Sequence, residues 1–322
     1  MNKTTVNYGI ISTASIVPRF VNGIRESGNG NVIALSSRSI DKARALSQQL
    51  NIPEYYDDYH ILLNDERIDC IYVPLVNSLH YPFAKEALLH GKNVVMEKPF
   101  VLHKEEGIEL KQLARERNLF ITEAVKTPFL PVFKDVKRII ESKEYGNVHM
   151  MLFRQSYVGS NYTQGWNTVR ACGGGALYGN EAYFLTMTEY LCGRITDYRG
   201  LASYKDSDSE SQCTVSVLTE NNVLAISTVS SEVLLNNGLF IYLDNARIEI
   251  PDYWKATKAY LYQGNELIQE FKYPCKYEMQ YEIRHFNECM LNGLLESPVI
   301  PLDDSIRHIE ICEDLYSEWT KK

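Results

Sequence analysis

At 322 residues the chain is too long for one average domain and long enough for two, each able to bury its own core. Hydrophobic residues make up 45% and charged residues 23%, an ordinary balance for a soluble globular protein. The net charge of −8 argues against a nucleic acid or an anionic membrane as partner, but leaves room for a local basic pocket that takes one small anion. The seven cysteines are scattered and none form a C-x-x-C pair. Neither a zinc site nor a disulfide framework is therefore expected, and a reducing, cytoplasmic setting fits. MNKTTVNYGII has no apolar run long enough for a signal peptide, and no later segment approaches a membrane span.

The first 125 residues alternate strand and helix. Residues 6–11 are a short apolar run, and residues 13–27 predict a helix that stops at Gly28. A second strand covers 32–36, and a helix covers 39–49 with Ser39 as N-cap and Asp41 in its first turn. Residues 70–74 are a third strand, 80–90 a helix ending at Gly91, and 94–96 a fourth strand. A helix over 103–117 and a strand over 119–122 complete the series. Strands alternating with helices of this length imply a parallel sheet covered on both faces, and right-handed crossovers make it doubly wound.

Beyond residue 125 the texture changes. Stretches at 148–157, 195–203, 212–219, 223–229, 239–243, 247–250 and 259–262 read as strands, with turn signals such as Glu220-Asn221-Asn222 and Asp244-Asn245-Ala246 between neighbours. Helices are expected over 181–191, 281–294 and 306–319. Many strands with few helices between them imply one large, open, mostly antiparallel sheet. The expected organisation is a dinucleotide-binding domain over 1–124 and an α+β substrate and dimerisation domain over 125–322.

In a doubly wound fold the first strand–helix turn holds a pyrophosphate on backbone N–H groups and a helix N-terminus. Here that turn is Ser12, Thr13 and Ala14, with Ser12, Ala14 and Val17 at the positions usually filled by G-x-G-x-x-G/A. Small residues keep close backbone approach in weakened form, and an ordinary turn is the plainer alternative. At the end of the second strand, Ser36-Ser37-Arg38 stands where an NAD site carries an acid. Hydroxyls and a guanidinium suit a 2′-phosphate, so Ser37 and Arg38 point to NADP in preference to NAD. A surface arginine opening a helix is the competing reading. Asn77 and His80 follow the third strand at the ligand-binding edge of such a sheet, where Asn77 could instead cap the next helix and His80 could only hold the turn.

The order of a small-residue turn, Ser-Ser-Arg, N-S-L-H, E-K-P, E-A and a G-G-G stretch resembles the glucose-fructose oxidoreductase / inositol dehydrogenase (Gfo/Idh/MocA) family over nearly the whole chain. Its most specific element is E-K-P after a strand. NLFITEAVKTPFLP (118–131) and ESPVIPLDDS (296–305) resemble the dimeric dihydrodiol dehydrogenase branch. The resemblance implies a Rossmann-type first domain, an NAD(P) cofactor, and a lysine, Lys98, that exchanges a proton with the substrate oxygen. It also implies a cis peptide before Pro99, with Glu97 orienting Lys98 or touching the nicotinamide ribose side.

The family pattern G-G-G-x-L-x-D-x-G-x-H reads GGGALYGNEAY here. Gly179 replaces the Asp, Glu181 falls at the Gly position, and Tyr183 stands at the His position. The resemblance makes Tyr183 a candidate acid–base group, whereas the missing carboxylate has only Glu181 as a stand-in. Lys126 replaces an expected pocket aromatic. It could lower the Lys98 pKa by like-charge repulsion or bind an anionic substrate group, or simply point to water at a domain junction. Tyr157, Tyr162, Trp166 and Arg170 precede the glycine run and are candidate pocket residues, although aromatics there are more often core.

The leading reading is an NAD(P)-dependent oxidoreductase acting on a carbinol or carbonyl carbon of a sugar, polyol or cyclic diol. It would be a homodimer through the second sheet, with no metal, membrane or nucleic-acid partner. The alternatives are a non-catalytic dinucleotide-binding sensor, suggested by Gly179, and a sheet-mediated interaction module that binds no dinucleotide.

Overall fold

The structure, a computed structural model, describes residues 3–158 and 164–320. In chain order the elements are β1 (Val6–Ile11), α1 (Val17–Ser27), β2 (Gly30–Ser36), α2 (Ile40–Leu50), β3 (Glu54–Tyr56), α3 (Tyr59–Leu63), β4 (Cys70–Val73) and α4 (His80–Leu89). Next come β5 (Asn93–Glu97), α5 (Lys104–Arg117), β6 (Ile121–Ala124), α6 (Pro131–Ser142), β7 (Val148–Ser156) and α7 (Ala176–Cys192). The chain continues through β8 (Ile195–Ser203), β9 (Gln212–Thr219), β10 (Leu224–Ser230), β11 (Gly238–Leu243), β12 (Arg247–Pro251), β13 (Lys258–Gln263) and β14 (Glu266–Lys272). It closes with α8 (Gln280–Leu291) and α9 (Leu302–Trp319).

Two compact units result, Met1–Ala124 with Tyr277–Ile309, and Val125–Lys276 with Glu310–Lys322. The first holds a six-stranded sheet in the order β3-β2-β1-β4-β5-β6, parallel at every pairing. All of β4 and the centre of β5 are buried, as expected when helices cover both faces. The sequence reading placed 277–309 with the second domain, but this segment packs into the first unit. A Cβ on Gly23 of α1 would lie 2.8 Å from Ile283 Cδ1 of α8, so the glycine permits the close helix contact. Tyr8 of β1 donates to Asn287 Oδ1 at 2.6 Å, and Arg284 Nε donates to the Ser27 carbonyl at 2.9 Å.

The second unit is built on an eight-stranded sheet, β14-β13-β12-β11-β7-β10-β9-β8. It is antiparallel except for the β7–β10 pair. Helix α7 packs against β7, β9 and β10. Phe184 of α7 meets Phe153 of β7 edge-on at 5.1 Å, and Phe153 meets Tyr253 at 5.2 Å.

Some elements depart from the sequence reading. Helix α1 starts at Val17, because Ser12–Ile16 stay in the turn that precedes it. Helix α7 starts at Ala176, five residues early, and α9 at Leu302. β3, α3, α6 and β14 were not foreseen. Pro131 occupies the first turn of α6, where its missing N–H is harmless. In β14 only Phe271 is buried, so no alternation marks it as a strand.

Candidate active site

The first unit brings the two halves of the expected cofactor site together. Ser12 Oγ accepts the Ala14 amide at 2.9 Å, and the Val17 amide closes onto the Ala14 carbonyl at 3.0 Å. Helix α1 has no acidic residue in its first turn and no side-chain cap. Its N-terminal amides therefore suit an anion, as a pyrophosphate requires. Thr13 Oγ1 lies 3.5 Å from Ser37 Oγ, joining this turn to the end of β2. Arg38 follows, exposed, with no hydrogen bond or ion pair among the described residues. The chemistry of these residues fits an NAD(P) nucleotide.

The Glu-Lys-Pro turn follows β5 at the carboxyl edge of the same sheet. The Lys98–Pro99 peptide is cis. His80 is fully buried and grips this turn, with Nδ1 2.7 Å from the Pro99 carbonyl and Nε2 3.3 Å from the Leu75 carbonyl. Burial pushes its imidazole below the ordinary value, against the support of the Pro99 carbonyl. Both ring nitrogens face carbonyl oxygens, so the ring ties the Leu75 and Pro99 segments together. Of the two roles considered for His80, holding the turn is the one its contacts serve. Glu97 accepts from Tyr72 at 2.6 Å, and Tyr72 stacks on Phe20 of α1. Asn77 is buried at the start of the 3₁₀ turn over Asn77–Leu79 that leads into α4.

Behind the turn sits a carboxylate that the sequence reading passed over. Glu123 of β6 is buried, accepts from Ser305 Oγ at 2.6 Å, and takes the Phe100 amide next to Pro99. Burial raises its carboxyl above the usual range, while Ser305, His308, the Phe100 amide and Lys98 pull it back. An acid inside an otherwise apolar strand ending was the available signal.

In the second unit, Lys126 and Tyr183 meet. Lys126 Nζ donates to the Tyr183 hydroxyl at 2.9 Å and lies 4.8 Å from its ring centroid. Both side chains are buried, so Lys126 does not point to water. Helix α7 is pinned beneath Tyr183. Asn180 accepts from Tyr253 at 2.6 Å and donates to Ser227 at 3.0 Å, and the Tyr157 hydroxyl donates to the Gly179 carbonyl at 3.0 Å.

Glu181 is buried near Tyr178, Tyr253 and Cys213, whose pKa values its charge helps to raise after desolvation. Arg170 donates to the Asp208 carbonyl at 2.7 Å and lies over the rings of Tyr204 and Tyr316. These contacts fix the direction of its side chain. Trp166 is half-buried in a 3₁₀ turn over Gly165–Thr168, and Tyr162 lies outside the described residues.

The glycine run serves packing. A Cβ on Gly174 would lie 2.4 Å from the Asn167 carbonyl oxygen, and Gly175, at φ +117°, faces the Glu210 carboxylate at the same close range, 2.4 Å. Glu210 accepts the Leu177 amide at 2.7 Å and the Tyr316 hydroxyl at 2.8 Å, so it caps the start of α7. Burial raises its carboxyl to about 7. Among the described residues, His60, Glu86 and His90 bring ligand-capable atoms within 4.8 Å of one another, a grouping not apparent in the sequence. No helix among those residues is long and apolar enough to cross a membrane.

Residues 6–125 match the oxidoreductase family with an NAD-binding Rossmann fold, and residues 133–249 match the GFO/IDH/MocA C-terminal domain. A trans-1,2-dihydrobenzene-1,2-diol dehydrogenase of Xenopus laevis is 30% identical over 317 residues, covering 92% of this chain and 93% of the relative. The chain belongs to the Gfo/Idh/MocA oxidoreductase family. The human dehydrogenase of the same name is 25% identical, with 96% of each chain covered. A 3-ketoreductase from Actinomadura kijaniata, solved with NADP and TDP-benzene, shares the fold at a TM-score of 0.87 and 21% identity, with 97% of each chain covered. A levoglucosan dehydrogenase solved with NADH and levoglucosan does so at 0.87 and 14% identity, with 98% of each chain covered. The protein is an NAD(P)-dependent hydride-transfer oxidoreductase, and the non-catalytic reading finds no support in its relatives.

Proposed function

We propose that the oxidoreductase interconverts a secondary alcohol and a ketone on a sugar, polyol or cyclic diol, preferring NADP to NAD. The observation that carries this reading is Lys98 on a turn held from two sides, by His80 on the Pro99 carbonyl and by Glu123 on the Phe100 amide. A lysine so held keeps its amine in place while a proton moves, which is where orientation lowers a barrier. The relatives' names, a dihydrobenzenediol dehydrogenase and a levoglucosan dehydrogenase, support the substrate class.

When bound, the nicotinamide exchanges a hydride with the substrate carbon. The residues manage the accompanying proton. Lys98 of the first unit and Tyr183 of the second are each assigned acid–base work, while Ser12, Thr13, Ala14, Ser37, Arg38, Asn77, His80 and Glu97 are assigned to the cofactor. Lys126, Tyr157, Trp166 and Glu181 shape the substrate side of the second unit. A homodimer through the open face of the eight-stranded sheet and a cytoplasmic location complete the reading, the latter supported by seven scattered cysteines without a C-x-x-C pair.

The deciding experiment is Lys98→Ala, assayed with NADP⁺ and a panel of cyclic diols and sugars. Turnover is expected to fall by at least the roughly 10²-fold typical of a lost acid–base group, with NADPH binding intact. Unchanged turnover would remove Lys98 from the chemistry.

A further inference from the structure

We propose that Lys126 is the residue that sets the ionisation and position of Tyr183, so that the two work as one ammonium–phenol pair. The inference rests on the hydride-transfer reading and deepens it. It assigns Lys126 a task on Tyr183 instead of on a substrate anion or on Lys98.

The geometry is specific. Lys126 follows β6 and opens the 3₁₀ turn over Thr127–Phe129, whereas Tyr183 stands in the middle of α7. The lysine is 4% exposed and the tyrosine 7%. Taking an ammonium so far from water costs several kcal/mol unless hydrogen bonds replace the lost hydration. Here the ammonium reaches both the hydroxyl, at 2.9 Å, and the ring, at 4.8 Å from its centroid. A donor aimed at a phenol oxygen strengthens as negative charge develops there, so the contact favours the phenolate.

Among the described residues, the other titratable groups around this part of α7 do not share that effect. Tyr253, on the turn after β12, has its hydroxyl committed to Asn180 and Gln155, and is kept neutral by burial. Glu181, on α7 itself, adds negative charge, and Cys213 of β9 lies beyond it, raised by burial. Tyr157, at the end of β7, donates to Gly179. Lys126 is therefore the group among these that opposes burial at the Tyr183 oxygen. In oxidation the O–H bond broken on the substrate becomes the O–H bond formed on Tyr183, and reduction reverses this. The hydride that leaves or reaches the same carbon is the established exchange with the nicotinamide, so the step balances.

The test follows the Tyr183 ring by ¹³Cζ-tyrosine NMR across pH, with Tyr183→Phe assigning its resonance. Lys126→Met is expected to make Tyr183 at least about tenfold less acidic, and Lys126→Arg, which keeps a cation, is expected to restore most of the acidity. The limb of the kcat pH profile that reports Tyr183 moves the same way, with the NADPH Kd unchanged. A titration that Lys126→Met leaves in place overturns the pair while the oxidoreductase reading stands. A shifted titration in a protein that turns over no diol or sugar keeps the pair and overturns the substrate reading instead. Should Lys126→Met not fold, the wild-type resonance decides: titration below free tyrosine supports the pair, and titration at or above it overturns it.

Discussion

Arg38 and Ser37 face a choice between two cofactors that differ by one phosphate. The guanidinium is exposed and uncommitted among the described residues, and Ser37 Oγ sits 3.5 Å from Thr13 Oγ1 in the cofactor turn. A guanidinium pairs with a 2′-phosphate through charged hydrogen bonds, whereas a 2′-hydroxyl offers it little. Arg38→Ala is expected to weaken NADPH binding by roughly 1.5–3 kcal/mol and to leave NADH binding nearly unchanged, read by nicotinamide fluorescence. Equal losses for the two would separate Arg38 from the phosphate. At the same scale, His80 shows how little a motif says about its own use. Its spacing marks the ligand edge, yet both ring nitrogens face backbone carbonyls.

Helix α7 depends on what stands at its first turn. Gly175 admits the Glu210 carboxylate to within reach of the Leu177 amide, and any side chain there would collide with it. Burial is the main cause of the raised Glu210 carboxyl, opposed by the Leu177 amide and the Tyr316 hydroxyl. The folded chain therefore holds a proton on Glu210 up to about pH 7, whereas the unfolded chain releases it near the ordinary 4.5. Because the folded state binds more protons across that window, stability falls as pH rises through it. A window of that width is worth on the order of 3 kcal/mol. Glu210→Gln keeps an acceptor oxygen and cannot titrate. Urea unfolding at pH 5 and pH 8 should show the wild type losing about that much relative to the variant. A difference that stays constant with pH would mean that Glu210 remains ionised in the fold.

At the scale of the molecule, the dimer reading rests on the open face of the eight-stranded sheet. Strand registers align Leu218, Leu224, Met150 and Tyr242 in one row across β9, β10, β7 and β11. The next row runs Ser216, Ile226, Leu152 and Phe240. Leu218, Leu224 and Tyr242 are each 37% exposed, and Leu152, Ile226 and Phe240 are half-buried. Contiguous apolar rows of this kind are more typical of an interface than of a wetted surface. Sedimentation equilibrium should report a dimer for the wild type and a monomer for Leu152→Glu with an unchanged thermal transition of each unit. A monomeric wild type would end the dimer reading.

The period of most strands and helices and the order of the motifs were legible in the sequence. Each depends on local rules: alternation, capping, turn chemistry and spacing along one chain. The unforeseen elements are those whose local signal is weak, such as exposed β14, or misleading, such as α6 with its proline start. The pairing of Lys126 with Tyr183 across 57 residues, and of Glu123 with Ser305 across 182, belongs to tertiary structure. So do the grip of His80 on the Pro99 carbonyl and the return of residues 277–309 to the first unit. The sequence by itself determined the layered architecture and the family, because repeating patterns encode which face of each element is buried. Only the fold decided which polar side chains share a buried space, because that depends on how distant elements pack and on which charges must then be satisfied together.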